Sequence, residues 1–136
     1  MRAIVYHGRE DVRFDDIPEP SPKAGEVKLR VLYNGICGSD LHEYYHGPLA
    51  SSTKPHPLSG VKIPVVLGHE FCGAVVEVGK GVPDLKPGDL VAVEPLETCG
   101  KCEWCHAGNY NHCPLGAIHG YSREGGGLAE FTVVLR

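Results

Sequence analysis

Cys99, Cys102, Cys105 and Cys113 place four thiols within fifteen positions, in the run CGKCEWCHAGNYNHC. Four soft sulfur donors on one short looped segment can fill a tetrahedron around zinc and leave no position free, the pattern of a closed, structural site. Gly100, Gly108 and Asn109 supply the loose torsions that turning four ligands inward demands. A disulfide framework fits these thiols poorly, because they lie too close together to close useful loops. A redox CxxC pair would open a helix in a βαβ unit, whereas this pattern overlaps itself and continues to Cys113. An iron–sulfur cluster is the remaining alternative to zinc. Lys101, Glu103 and Trp104, between the thiols, read as exposed or capping residues.

A second constellation is spread over two segments. Cys37 follows a predicted strand in GICGSDLHEY, and His69 with Glu70 precedes another in VVLGHEFCG. A thiolate and an imidazole delivered from strand ends, with acidic groups beside them, suit an open zinc site with three protein ligands and a vacancy. The bland readings are a structural histidine and a packed thiol, and Cys72, inside an apolar run, takes the latter. His7, His46, His56, His106, His112 and His119 read as surface or packing residues.

The elements that must carry these groups are mostly strands and tight loops. Eighteen glycines and eleven prolines interrupt the chain at short intervals, and helix is scarce. In residues 27–33, Val27, Leu29, Val31 and Tyr33 alternate with Lys28, Arg30 and Leu32, which predicts a strand with that first set on a buried face. Further strands are expected over 3–6, 12–14, 71–78, 90–93 and 129–135, with turns at 18–25 and 86–89. An irregular, partly open β-barrel is the simplest way to protect so many edges. The stretch 46–64, with four prolines and no period, is expected to be a surface excursion.

Composition narrows the partners. The 136 residues suffice for one domain with its own core, and the formal charge of −4, with Lys and Arg scattered singly, offers no basic stripe to follow a phosphate backbone. Nucleic acid and membrane are therefore not expected partners: no apolar run approaches a spanning length, and the amino end does not read as a secretory leader. Six cysteines, reduced or metal-bound, suit a cytoplasmic setting.

Taken together, Gly68-His69-Glu70 followed by Gly73, Gly79 and Val82, the four-cysteine run, the turn Pro87-Gly88-Asp89 and the tail Gly127-Leu128-Ala129-Glu130-Phe131 resemble the amino-terminal, GroES-like catalytic domain of the zinc-dependent medium-chain alcohol dehydrogenases. The resemblance covers essentially residues 1–136, with the zinc lobe at about 95–116. CGSDLHEY and the loop Lys54-Pro55-His56-Pro57-Leu58 look most like the (R,R)-2,3-butanediol dehydrogenases, beside the polyol and threonine branch. The resemblance implies that Cys37, His69 and Glu70 hold a catalytic zinc and that Cys99, Cys102, Cys105 and Cys113 hold a structural one. It further implies that Ser39 bonds the substrate oxygen, that His42 relays the proton outward, and that Asp40 orients the zinc histidine. The expected substrate is a small alcohol or diol.

No GxGxxG follows a strand, and Gly125-Gly126-Gly127 precedes one, so it reads as a loop feature instead of a phosphate cradle. The nucleotide-binding (Rossmann) domain that would bring NAD or NADP, and one further zinc ligand, are therefore expected outside these residues. The expectation is a catalytic half, inactive alone, whose full-length parent is a homo-oligomer. The competing class is a non-enzymatic, zinc-stabilised β-barrel binding module, which explains the lobe but leaves the second constellation as coincidence.

Overall fold

A computed structural model describes all 136 residues, and its framework is mainly β. β1 (Arg2–Gly8) pairs with β2 (Asp11–Asp16) on one side and with the two-residue β4 (Val65–Val66) on the other. A second sheet runs in the order β6 (Leu90–Ala92), β5 (Phe71–Val78), β3 (Glu26–Asn34), β9 (Phe131–Leu135). A short ribbon of β7 (Leu96–Glu97) and β8 (Ala117–Ile118) closes the base of the cysteine segment. Every pairing between these strands is antiparallel, so the described residues contain no βαβ nucleotide-binding unit. The sheets remain open at their edges and do not close into a continuous barrel.

Two apolar clusters hold the sheets. One gathers Tyr6, Val61, Val65, Leu67 and Tyr121 under the first sheet; the other gathers Val27, Leu29, Phe71, Val75 and Val134 inside the second. All six expected strands form, although the last is shorter at its start, where Ala129 makes only an isolated bridge to Ala3.

The alternation expected in β3 fails halfway along. Val27 and Leu29 are buried, but Tyr33 is 78% exposed. The register against β5 slips twice: between Lys28 and Leu29 the extra residue is Val76 of β5, which leaves the β3 alternation intact, and between Val31 and Tyr33 it is Leu32 of β3, which turns Tyr33 to the other face. Lys28, expected outside, is instead buried, its ammonium paired with Glu19 and lying 5.1 Å from the Phe131 ring centre. Cys72 is half-buried and not fully packed. The 46–64 excursion lacks strand or helix after His46, yet it dips into the interior at Ser51 and Val61.

The one substantial helix, α1 (Gly38–His46), starts directly after Cys37. Asp40, at its third position, reaches back to accept the Cys37 backbone N–H at 2.9 Å, fixing where the helix begins.

The triple glycine is a packing device. Its strand-side neighbour Gly127 donates its N–H to Gly68 O at 2.9 Å, bringing the loop against the chain just before His69. A Cβ on Gly126 would stand 2.1 Å from Val66 O and 2.4 Å from Leu67 O, both backbone atoms that cannot swing aside. Gly126→Ala is therefore expected to cost about 1–3 kcal/mol or more, lowering Tm by roughly 5–10 °C. A melting curve within a degree of the unsubstituted chain would show that the loop moves freely.

Candidate metal centres

The lobe that carries the four cysteines has almost no interior. α2 (Glu103–His106) and the 3-10 turn at Tyr110–His112 bury none of their residues. What converges is the sulfur. Cys102 Sγ lies 3.5 Å from Cys105 Sγ, Cys99 Sγ lies 4.0 Å from Cys105 Sγ, and all four Sγ atoms fall within 4.8 Å of one another. A tetrahedral zinc with Zn–S near 2.3 Å would set its sulfurs about 3.8 Å apart, so the spacing fits the ion. All four thiols are free, which excludes a disulfide framework in this arrangement. The thiols also share their protons unevenly. The Lys101 backbone amide chiefly holds Cys99 down to about 6. Cys102 is pushed up to about 11 by burial and neighbouring sulfurs, against the Cys105 amide.

The second centre lies where α1 meets the segment entering β5. The donor atoms of Cys37, His69 and Glu70 also fall within 4.8 Å of one another. Cys37 is half-buried and Glu70 exposed, so this cluster opens to solvent. The His69 side chain is only 11% exposed, and its Nδ1 stands 3.5 Å from Asp40 Oδ1, too long and misaligned to count as a hydrogen bond. Nε2, on the other edge, is 3.2 Å from Ser39 Oγ. A histidine with one nitrogen toward a buried carboxylate and the other toward an open thiol–carboxylate cluster fits a metal ligand.

Asp40 is the hub of the arrangement. It is 6% exposed; Oδ2 accepts from the Cys37 backbone, and Oδ1 accepts from the Tyr121 hydroxyl at 2.8 Å while facing His69. His42 is not drawn into this knot. It stands exposed on α1, one turn after Ser39, its ring 6.1 Å from that of His46.

Sequence reasoning singled out neither Tyr121 nor Glu43. Tyr121 joins Asp40 across 81 positions from a turn without periodicity, so nothing local announced it. Glu43 looks like any polar helix residue, yet it is 1% exposed and its carboxylate accepts the backbone N–H groups of Leu49, Ala50 and Ser51. The chain thus has two dissimilar metal-ready clusters on one strand-rich scaffold, one closed with four sulfurs and one open with mixed donors beside a hydroxyl.

Comparison with known proteins makes the assignment specific. Residues 23–136 match the alcohol dehydrogenase GroES-like domain, and the chain belongs to that family. It is 46% identical over 136 residues to the (R,R)-butanediol dehydrogenase of Bacillus subtilis, covering 98% of this chain and 38% of that protein. It is 45% identical over 112 residues to a sorbitol dehydrogenase of Gallus gallus, covering 82% of this chain and 30% of that one. Among solved structures, the Bacillus subtilis 2R,3R-butanediol dehydrogenase superposes with a TM-score of 0.91 at 44% identity, over 98% of this chain and 38% of the other. A zinc-binding dehydrogenase of Sinorhizobium meliloti, bound to NADP, gives 0.86 at 32% identity, over 99% of this chain and 36% of the other. The chain therefore spans 30–38% of the length of these relatives.

Proposed function

We propose that residues 1–136 form the catalytic domain of a zinc-dependent dehydrogenase that oxidises a secondary alcohol or diol of the 2,3-butanediol type to a ketone, passing hydride to NAD or NADP. The observation that carries this reading is the convergence of Cys37, His69 and Glu70 within 4.8 Å, with Ser39 Oγ 3.2 Å from His69 Nε2. Names of relatives that act on butanediol and sorbitol support the substrate class.

Zinc held by Cys37, His69 and Glu70 would supply a Lewis acid that makes an alcohol oxygen more acidic. The chain's residues do the rest. Ser39 hydrogen-bonds the alcohol oxygen, and His42, exposed on the same helix, is the residue proposed to hand the released proton to water. Asp40 keeps the His69 ring turned so that Nε2 faces the open side. A nicotinamide cofactor, when bound, would supply the acceptor for the hydride that the carbinol carbon gives up with its C–H electron pair. With no phosphate-cradling GxGxxG among these residues, a second domain of the same enzyme brings it, and this domain alone turns over no substrate. The four-cysteine lobe takes a second, structural zinc. We further propose a cytoplasmic homo-oligomer without nucleic-acid or membrane partners. No helix is long and apolar enough to cross a membrane.

The test is Ser39→Ala in the complete enzyme, with (R,R)-2,3-butanediol as substrate and nicotinamide reduction as readout. Zinc content is expected to stay at the unsubstituted value while kcat falls about 100-fold or more. Loss of zinc in step with activity would make Ser39 part of the scaffold. An unsubstituted enzyme that binds zinc but oxidises no alcohol or polyol would favour the binding-module reading instead.

A further inference from the structure

Tyr121 belongs to an apolar cluster, yet its hydroxyl is aimed at the open metal centre. The residue is 2% exposed, and its oxygen lies 2.8 Å from Asp40 Oδ1 and 3.1 Å from Ser39 Oγ. A phenol has one proton to give. The carboxylate is the stronger acceptor and makes the shorter contact, so the proton lies on the line to Asp40. Toward Ser39 the phenolic oxygen then shows only lone pairs, and the 3.1 Å contact is made by the serine's own proton, whose other acceptor, His69 Nε2 at 3.2 Å, is lost when that nitrogen faces a metal.

We propose that Tyr121 is a positioning residue: its hydroxyl, committed to Asp40, turns the Ser39 proton away from the space before Cys37 and His69 and leaves a serine lone pair facing that space. The inference rests on the reading of this centre as a metal-assisted alcohol site. It adds a selectivity that the donor set alone does not give. A ligand that brings a proton, such as an alcohol, finds an acceptor waiting, whereas an anion that can only accept meets a repelling lone pair. The Tyr121 ring, 4.9 Å from the His69 ring between centres, also walls the imidazole. Tyr121→Phe keeps that wall and removes only the hydroxyl.

The experiment uses protein loaded with Co2+, whose visible absorption reports ligands entering the open site, titrated separately with (R,R)-2,3-butanediol and with azide. Freed from Tyr121, the Ser39 proton can swing toward the ligand. Tyr121→Phe is therefore expected to weaken diol binding about fivefold and tighten azide binding about fivefold, the worth of one hydrogen bond each way. In a Ser39→Ala background the same change should have no further effect. Affinities that are unaltered, or that fall together, would overturn the proposal, because a structural role alone predicts no opposite shifts. So would an effect that survives in Ser39→Ala. The unsubstituted chain offers a check that needs no variant to fold: the Tyr121 hydroxyl proton should exchange slowly in NMR spectra, and fast exchange would contradict its commitment to Asp40. If Co2+ occupies only the four-thiolate lobe, the metal reading of Cys37 and His69 has failed and takes this inference with it; retained binding at both sites with parallel affinities overturns Tyr121's role alone.

Discussion

Replacing Cys102 by Ser is expected to unfold the lobe around residues 99–113 while leaving the two β-sheets paired. The reason is the lobe's lack of a core: α2 and the 3-10 turn bury no residue, so beyond local turn hydrogen bonds and the Trp104–His112 ring contact the converging sulfurs are what can hold the segment in place. Structural zinc is worth roughly 10 kcal/mol or more in small zinc peptides, far beyond what a few exposed turns supply for themselves. The ribbon of β7 and β8 has only two residues a strand and gives the lobe little purchase. Limited proteolysis should cut Cys102→Ser within the lobe under conditions that spare the unsubstituted chain, and bound zinc should fall by one per chain. An intact lobe with its zinc retained would remove Cys102 from the ligand set.

Glu43→Ala carries the second large effect, and it acts on stability without touching a metal. The buried Glu43 carboxylate accepts from Ala50 N at 2.8 Å and from Leu49 N and Ser51 N at 3.1 Å, tying the chain after α1 back onto the helix. The Tyr6 hydroxyl donates to the Glu43 backbone carbonyl at 3.1 Å, fastening the same turn to β1. Truncation strands three backbone donors, each costing about 1–3 kcal/mol when left unpaired. A loss of about 3–5 kcal/mol is expected in urea denaturation, a large share of the stability of a domain this size. Glu43→Gln, which keeps one acceptor oxygen, should fall between. A loss below about 1 kcal/mol would mean that water reaches those amides.

Both effects show where sequence and structure part company. The lobe was legible because its ligands are local: four thiols in fifteen positions announce a metal without any knowledge of the fold. The open site was legible as two motifs, since Cys37 lies at the start of α1 and His69 just before β5, positions that turn and strand patterns reveal. What joins them was not. Tyr121 reaches Asp40 from a glycine-flanked turn, and the contact depends on how the first apolar cluster packs, which no local period encodes. Glu43 escaped for a different reason: its partners are backbone amides, whose positions are invisible in side-chain chemistry. In β3, the apolar alternation pointed Tyr33 inward, but an extra residue at Leu32 in the pairing with β5 reversed it. A period-two pattern predicts faces only while the ladder stays in step.

The central claim is that one chain carries two metal sites of different kinds, a closed one that braces a lobe and an open one that does chemistry. Native mass spectrometry during a zinc titration tests it most directly. The chain should take up two zinc ions in succession, the first tightly and the second more weakly, because the open site's protein ligands leave a position free. Cys102→Ser should abolish the tight event and Cys37→Ser the weak one, each sparing the other. A chain that never binds more than one zinc, or a Cys37→Ser variant that still binds two, would contradict the account.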